Sequence, residues 1–160
     1  MIKILLLLFS IGVYADTATI TADKKAGTIT VEYLEAGKVI KTISQPALFG
    51  KTLSNELNMK NYELPGKFDG ITPAGIFPLT KIFSWQLNED MLVYIHGKSS
   101  VGAIHPLWMK NPHQQRVERL HSPSSDDNRI TGGCINVDRN FFYNVLNKLP
   151  DGTILTILPE

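Results

Sequence analysis

The residues best suited to chemistry lie in the segment RITGGCINV, residues 129–137, which holds the only cysteine of the chain. A nucleophilic cysteine needs a base that takes up the thiol proton, a tight backbone that exposes the sulfur, and N–H groups that stabilise an oxyanion. Gly132 and Gly133 suit the backbone requirement, because glycine adopts dihedral angles closed to other residues and leaves room for a substrate carbonyl beside the N–H groups of Gly133 and Cys134. The alternative is an unreactive cysteine that packs as a small apolar residue.

Four histidines are available as the base of such a site: His96, His105, His113 and His121. His96 and His105 end the apolar, strand-like runs LVYIH and GAIH, where a rigid scaffold can hold an imidazole. The other two lie in a polar segment. Spacing alone does not choose between them, and each position also suits a histidine without catalytic duty.

The N-terminal segment MIKILLLLFSIGVYA has the features of a secretory signal peptide, and it bears directly on the cysteine. One lysine precedes an apolar run that ends in small residues, which predicts cleavage after Ala15. The run is about half of the roughly 20 residues that a transmembrane helix needs, so we expect no stable membrane insertion after cleavage. Residues 16–160 are then a single exported domain in the periplasm or cell envelope. A lone cysteine in such an oxidising compartment is a candidate reactive thiol.

Composition is that of an ordinary globular domain and excludes some functions. The chain has 160 residues, of which 43% are hydrophobic and 19% are charged, with a formal net charge of +1. There is no basic excess to attract nucleic acid. Cysteine, histidine and acidic residues are not clustered as metal ligands are, so neither a metal nor another cofactor is expected.

Residue alternation predicts a mainly β (α+β) domain with one helix in its C-terminal half. The runs GTITVEYLEAG and KVIKTISQPA predict a β-hairpin that turns at Ala36 and Gly37. The hairpin residues expected to face one side of the sheet or to supply the core are Ile29, Val31, Tyr33, Val39, Ile40 and Ile43.

Further along the chain, the sequence predicts elements on both sides of the cysteine. The expected elements are a short helical turn at residues 53–59, a turn at 72–75 followed by a strand, a hairpin around 97–100, and a closing strand in TILTILP. Residues 106–129 are expected to form a long ordered loop with at most two helical turns, in which Arg116, Glu118 and Arg119 are solvated. A helix is expected after Asp138, which is a good N-cap residue.

Three segments, in this order, resemble elements of the L,D-transpeptidases that have a YkuD-type catalytic domain. TPAGIF at residues 72–77 resembles the family's TPxGxF element, and GAIHP at 102–106 resembles the strand that ends in its catalytic histidine. TGGCIN at 131–136 resembles its Ser/Thr-x-Gly-Cys-hydrophobic-Asn/Arg signature and is the most specific of the three. The resemblance covers about residues 16–158.

The resemblance implies a YkuD-like β-sandwich of mixed sheets with the cysteine at a cleft, in an enzyme that cross-links or trims peptidoglycan. It implies that Cys134 is the nucleophile and His105 the base. It further implies an oxyanion hole formed by the N–H groups of Gly133 and Cys134, and contacts to substrate or to the cleft wall from Thr131, Arg129 and Asn136. The implied partners are peptidoglycan stem peptides, and a monomer is expected.

Attack of the thiolate on the carbonyl between an L-centre and a D-residue would release terminal D-alanine and leave a thioester. An amine acceptor would then complete transpeptidation, and water would complete carboxypeptidation. Two alternatives to a peptidoglycan acyltransferase remain. The same dyad suits a different cysteine amide hydrolase, and the chain could also be a cell-wall-binding module that has lost its activity.

The chain departs from the family pattern in two places. His105 lies 29 residues before Cys134, which is more than in the usual signature, and the extra length falls in WMKNPHQQRVERLHSPSSDDN. This leaves His121, 13 residues before the cysteine, as an alternative base, and His96 in YIHG also resembles the family's His-Gly pair. Gly132 stands where many members carry histidine.

Overall fold

The computed structural model describes residues 17–56, 69–97 and 99–160, and its largest element is one eight-stranded mixed sheet. The strands are β1 Thr17–Asp23, β2 Thr28–Glu35, β3 Lys38–Pro46, β4 Phe49–Gly50, β5 Gly75–Ser84, β6 Glu89–His96, β7 Ser99–Pro106, β8 Arg129–Thr131, β9 Ile135–Val137 and β10 Ile154–Ile157. Their order in the sheet is β3-β2-β1-β10-β5-β6-β7-β9, while β4 and β8 form a separate two-stranded parallel sheet. β1 with β10 and β7 with β9 are parallel pairs. The expected mainly β fold with mixed sheets is confirmed.

The β2–β3 hairpin turns where the sequence predicts it, but its outer strand contributes less to the core than expected. Ala36 and Gly37 both have positive φ, 48° and 75°, as a tight turn between strands requires. The expectation that Val39 and Ile40 supply the core is wrong, since their side chains are 50% and 39% exposed. The physical reason is that β3 lies at the edge of the sheet, and a bulge leaves Ile40 without a partner in the register.

The other strand predictions agree with the structure over the residues that it describes. A strand follows the turn at 72–75, and β6 and β7 form the hairpin expected around 97–100. β1 is an element that the sequence analysis did not anticipate, and it joins β2 to β10. The helical turn expected at 53–59 is not formed at 53–56, and residues 57–59 lie outside the described part, as does the predicted signal peptide at 1–15.

Two short α-helices follow β7, where one was expected. They are α1 at Arg116–Leu120, within the long loop, and α2 at Arg139–Asn144. Single 3₁₀ turns lie at Pro112–Gln114, Ser125–Asn128 and Leu146–Lys148. The expected cap of α2 is confirmed, because the Asp138 carboxylate accepts from two backbone N–H groups in its first turn.

The core lies between the inner face of the sheet and the segment that contains α2. Its fully buried members include Ile29 and Val31 from β2 and Ile135 and Val137 from β9, with Phe142 from α2 packed against them. Burial on this scale anchors β9 firmly and therefore also anchors the cysteine that precedes it. Among the described residues, no helix combines the length and the apolar character needed to cross a lipid bilayer.

Candidate active site

Parallel pairing of β7 with β9 brings the cysteine and one of the four histidines into the same cleft. Ile104 pairs with Ile135, and His105 pairs with Asn136. Side chains alternate along a strand, and Ile135 points into the core, so Cys134 and Asn136 share the opposite face. Cys134, His105 and Asn136 all line a cleft of about 440 Å³. This volume lies within the range of about 300–1,000 Å³ that is typical of small-molecule sites.

A turn closed by one threonine presents the cysteine. The Thr131 hydroxyl donates to the Cys134 carbonyl at 2.6 Å and accepts from the Gly133 N–H at 3.1 Å. Gly133 has φ of 122°, and a Cβ at this position would lie 2.7 Å from the Ile71 carbonyl oxygen. Glycine is therefore required at position 133 by both backbone angle and space.

The Gly133 carbonyl is held by two hydroxyl groups from other strands and loops. Thr72 Oγ1 donates to it at 2.9 Å and Tyr94 OH donates at 2.8 Å, while Thr72 Oγ1 also accepts from the Gly50 N–H at 2.8 Å. This contact explains why TPAGIF belongs with the cysteine signature. In a trans peptide the C=O and the following N–H point in opposite directions, so these hydroxyls also orient the Cys134 N–H.

The two N–H groups predicted for the oxyanion hole differ in whether they already donate a hydrogen bond within the cysteine turn. The N–H of Gly133 already donates to Thr131 Oγ1. The N–H of Cys134 is not engaged in this way, and it points away from the hydroxyls of Thr72 and Tyr94. Of the two, Cys134 is therefore the better placed donor for an oxyanion in this geometry.

The protonation state of His105 follows from its neighbours. Arg116 Nη1 donates to Asn136 Oδ1, and since guanidinium is only a donor, the Asn136 Nδ2 group must face His105. The Asn136 Nδ2 atom lies 3.1 Å from His105 Nε2, which therefore accepts. His105 Nδ1 lies 2.7 Å from the Pro106 carbonyl oxygen and carries the proton. The imidazole is neutral, with Nε2 as its basic nitrogen.

Burial opposes charge on both members of the candidate dyad. It raises the pKa of the Cys134 thiol, and a hydrogen bond from the Ala103 backbone and the positive charge of Arg116 partly offset this effect. Burial lowers the pKa of His105, the Pro106 carbonyl opposes this, and Arg116 lowers the pKa further. These directions favour a thiol beside a neutral imidazole in the resting site.

Arg116 is a residue of the candidate site that was not expected from the sequence. It was expected to be solvated, but it is only 8% exposed and it lines the cleft, so that expectation is wrong. Its guanidinium stacks on Trp108 at 5.1 Å from the ring centroid and donates through Nε to Gln114. The surrounding NPHQQRVERLHS has no apolar periodicity that would have marked this one arginine as buried.

The other residues named from the sequence have different places. His96 is the exposed last residue of β6 and pairs with Ser99 at the start of β7, whereas His105 lies near the end of β7. His121 is exposed at the end of α1 and its Nδ1 lies 2.8 Å from the Val117 carbonyl oxygen. Arg129 lies outside the cysteine cleft and pairs with Glu160 at 2.8 Å. None of these three lines the cleft around Cys134.

Among the described residues, no three His, Cys, Asp or Glu side chains come together. The arrangement of the cleft suits covalent chemistry at sulfur. It combines the Cys134 thiol, the neutral imidazole of His105, and the oriented N–H group of Cys134 itself. His105 lies on the adjacent strand, level with the residue two positions after the cysteine.

Comparison with solved structures identifies the fold, while comparison of sequences does not. No protein-family model and no curated protein matches this chain. The structure is similar to the helical cell shape determining protein Pgp2 from Campylobacter jejuni, with a TM-score of 0.62 and 15% identity over 92% of this chain and 50% of that one. It is similar to Bd1075 from Bdellovibrio bacteriovorus, with a TM-score of 0.57 and 16% identity over 90% of this chain and 48% of that one.

A third similar structure is an L,D-transpeptidase (Yku) from Stackebrandtia nassauensis, with a TM-score of 0.53 and 14% identity over 91% of this chain and 57% of that one. The chain thus spans about half the length of the solved structures that it matches. At these identities the likeness concerns the fold. The resemblance read from TPAGIF, GAIHP and TGGCIN is confirmed at that level: this chain has the YkuD-type fold of the L,D-transpeptidases.

Proposed function

We propose that this protein is an exported, peptidoglycan-modifying cysteine acyltransferase that attacks stem peptides through Cys134 and His105. The observation that carries the proposal is that His105, alone among the four histidines, lines the same cleft as Cys134 and lies on the strand next to it. The YkuD-type fold supports the substrate class, since one similar structure is an L,D-transpeptidase and another is a cell shape determining protein. The proposed export rests on the signal-peptide features of residues 1–15.

The reaction begins with transfer of the Cys134 proton to His105 Nε2. That nitrogen accepts from the Asn136 amide in the resting site, so this hydrogen bond must break as the proton arrives, while the bond from Arg116 to Asn136 Oδ1 is kept. The resulting thiolate attacks the carbonyl between an L-centre and a D-residue of the stem peptide. The Cys134 N–H stabilises the oxyanion, the terminal D-alanine leaves with the proton from His105, and a thioester remains.

The second half of the reaction releases the thioester. An amine from a neighbouring stem attacks it in transpeptidation, and water attacks it in carboxypeptidation. Arg116 and Lys110 give the cleft a positive lining that suits the carboxylates of such peptides.

Acylation by a carbapenem tests the nucleophile. Intact mass spectrometry is expected to show one covalent adduct on the purified protein and none on Cys134→Ala. Folded wild-type protein that never forms an adduct would favour an inactive wall-binding module. Incubation with purified tetrapeptide muropeptides then distinguishes the reactions: dimers indicate transpeptidation, tripeptides indicate carboxypeptidation, and untouched substrate with an intact adduct indicates another amide hydrolase.

Histidine variants test the base. His105→Ala is expected to lower the acylation rate by about 10² to 10⁴-fold, because a positioned general base contributes that much. His96→Ala and His121→Ala are matched controls, since both residues are exposed and outside the cleft, and they should acylate at the wild-type rate. Loss of acylation in either control, with His105→Ala fully active, would overturn the assignment.

A further inference from the structure

The long loop between His105 and Cys134 carries a buried cation that has no carboxylate partner. Arg116 is 8% exposed, and none of the ion pairs among the described residues includes it. Its polar contacts are the neutral oxygens of Asn136 and Gln114, and its guanidinium carbon lies over the Trp108 ring. A buried guanidinium without an anion is costly, so an anion that forms nearby during turnover would be strongly favoured.

We propose that Arg116 is the counter-cation of the Cys134 thiolate and that, through Asn136, it keeps His105 a neutral proton acceptor. This inference rests on the proposed function, in which Cys134 is the nucleophile. Arg116 acts on the imidazole through another side chain, so towards His105 it is a positioning residue.

The orientation of the Asn136 amide is the first part of the argument. Arg116 binds Oδ1 and so turns Nδ2 towards His105 Nε2. If Arg116 is absent, the amide is free to rotate by half a turn and to offer Oδ1 to His105 instead. In that orientation Asn136 Oδ1 accepts a hydrogen bond from a protonated His105 Nε2 and therefore stabilises the imidazolium, which is no longer a base.

The charges around the dyad are the second part. Arg116 lowers the pKa of both Cys134 and His105. Glu89 on β6 also faces His105 and raises its pKa, but this carboxylate is itself bound by Arg139 and Tyr143. Lys110 lines the cleft, and together with Glu89 and Arg139 it lines a second cavity that His105 also borders. Among these groups, only Arg116 shifts the pKa of both residues.

The two effects have the same consequence for the resting site. An imidazolium is the usual counter-ion of a catalytic thiolate, but here Arg116 opposes protonation of His105 while it favours ionisation of Cys134. Two different residues therefore fill the two roles: Arg116 is the counter-cation of the thiolate, and His105 is the base. Removing it should raise the pKa of the thiol and that of the imidazole together, which a purely structural role would not do.

The test is the pH dependence of Cys134 alkylation by iodoacetamide in the full mature chain. Arg116→Gln is expected to lower the rate at pH 7.5 by about tenfold, since an opposite charge at close range commonly shifts a pKa by one unit or more. The alkylation midpoint should move to higher pH, and the His105 ring signals in an NMR titration should move in the same direction. Arg116→Lys should recover most of the alkylation rate because it keeps the charge.

Two further variants keep the result interpretable. Arg116→Met replaces the buried guanidinium beside Trp108 by an apolar, uncharged group, and it replaces the glutamine variant if that one does not fold. Arg119→Gln removes the same charge from the same helix, where Arg119 contacts only loop carbonyls, and should leave both midpoints unchanged.

The outcomes separate the inference from the proposed function. A folded Arg116→Gln or Arg116→Met with wild-type alkylation and imidazole midpoints overturns the inference while carbapenem acylation of Cys134 still stands. Equal shifts in the Arg119→Gln control would also overturn it, because general charge or loop packing would then explain the effect. A wild-type thiol that neither alkylates nor acylates would instead remove the proposed function.

Discussion

Replacing Thr72 by valine tests whether the cysteine turn is held by its carbonyl contacts. The substitution keeps the shape of the side chain but removes the hydroxyl that joins Gly50 to Gly133. Thr72 is 1% exposed, so no water replaces the lost group. The Gly50 N–H is left without its acceptor, whereas the Gly133 carbonyl keeps the hydroxyl of Tyr94 as a donor.

The magnitude follows from these contacts. An unsatisfied buried N–H costs about 1–3 kcal/mol, so Thr72→Val should lower the free energy of unfolding by about 2 kcal/mol. Tyr94→Phe removes only one of two donors to the Gly133 carbonyl and should cost about 1 kcal/mol. The double variant leaves that carbonyl without either hydroxyl, so we expect its loss to exceed the sum of the single losses by about 1 kcal/mol.

Urea denaturation of the four proteins in this cycle measures the coupling. Thr153→Val is a matched control, because Thr153 is also buried but donates to the Pro150 carbonyl and shares no acceptor with Tyr94. Its combination with Tyr94→Phe should be additive. Additive losses for Thr72→Val and Tyr94→Phe would refute the view that both hydroxyls hold one carbonyl. The same double variant should also slow carbapenem acylation, because the Cys134 N–H would lose its orientation.

Three further predictions use other contacts. Gly133→Ala should lower both stability and acylation, since its Cβ would lie 2.7 Å from the Ile71 carbonyl oxygen; wild-type behaviour would contradict the required turn. Asp138→Ala removes the N-cap of α2 and should lower the free energy of unfolding, measured by urea denaturation, by about 1 kcal/mol, with no change in acylation rate. Burial raises the pKa of Glu89, but hydrogen bonds from Arg139 and Tyr143 outweigh this effect, so the net pKa is lowered. The ionised Glu89 therefore stabilises the fold at pH values above its unfolded-state pKa, and this contribution is lost as the pH falls through its folded-state pKa. Glu89→Gln should therefore flatten the acid side of the stability profile, and an unchanged profile would contradict this.

Local signals explain which parts of the structure were predictable from sequence. The turn at Ala36 and Gly37 and the cap at Asp138 depend on residues within one turn of the chain, and both formed where expected. The residues alone left four histidines as candidate partners of Cys134, since His96 also ends a strand-like run, and His105 was favoured only by the resemblance of GAIHP to the family's histidine strand; its place beside Cys134 depends on the pairing of β7 with β9. The exposure of Val39 was not, since alternation reveals a strand but does not reveal whether that strand lies at the edge of the sheet.

The least predictable feature is the one that links the extended loop to the chemistry. Burial of Arg116 depends on Trp108, which stacks on it, and on Asn136, which lies on β9 and accepts its hydrogen bond. No local pattern joins these three positions. Many L,D-transpeptidases carry histidine where this chain has Gly132, which is exposed and leaves the wall of the cleft without a side chain there. A loop long enough to fold back over β9 supplies a permanent cation to the same cleft, so the added length and the missing histidine are both consistent with the proposed active site.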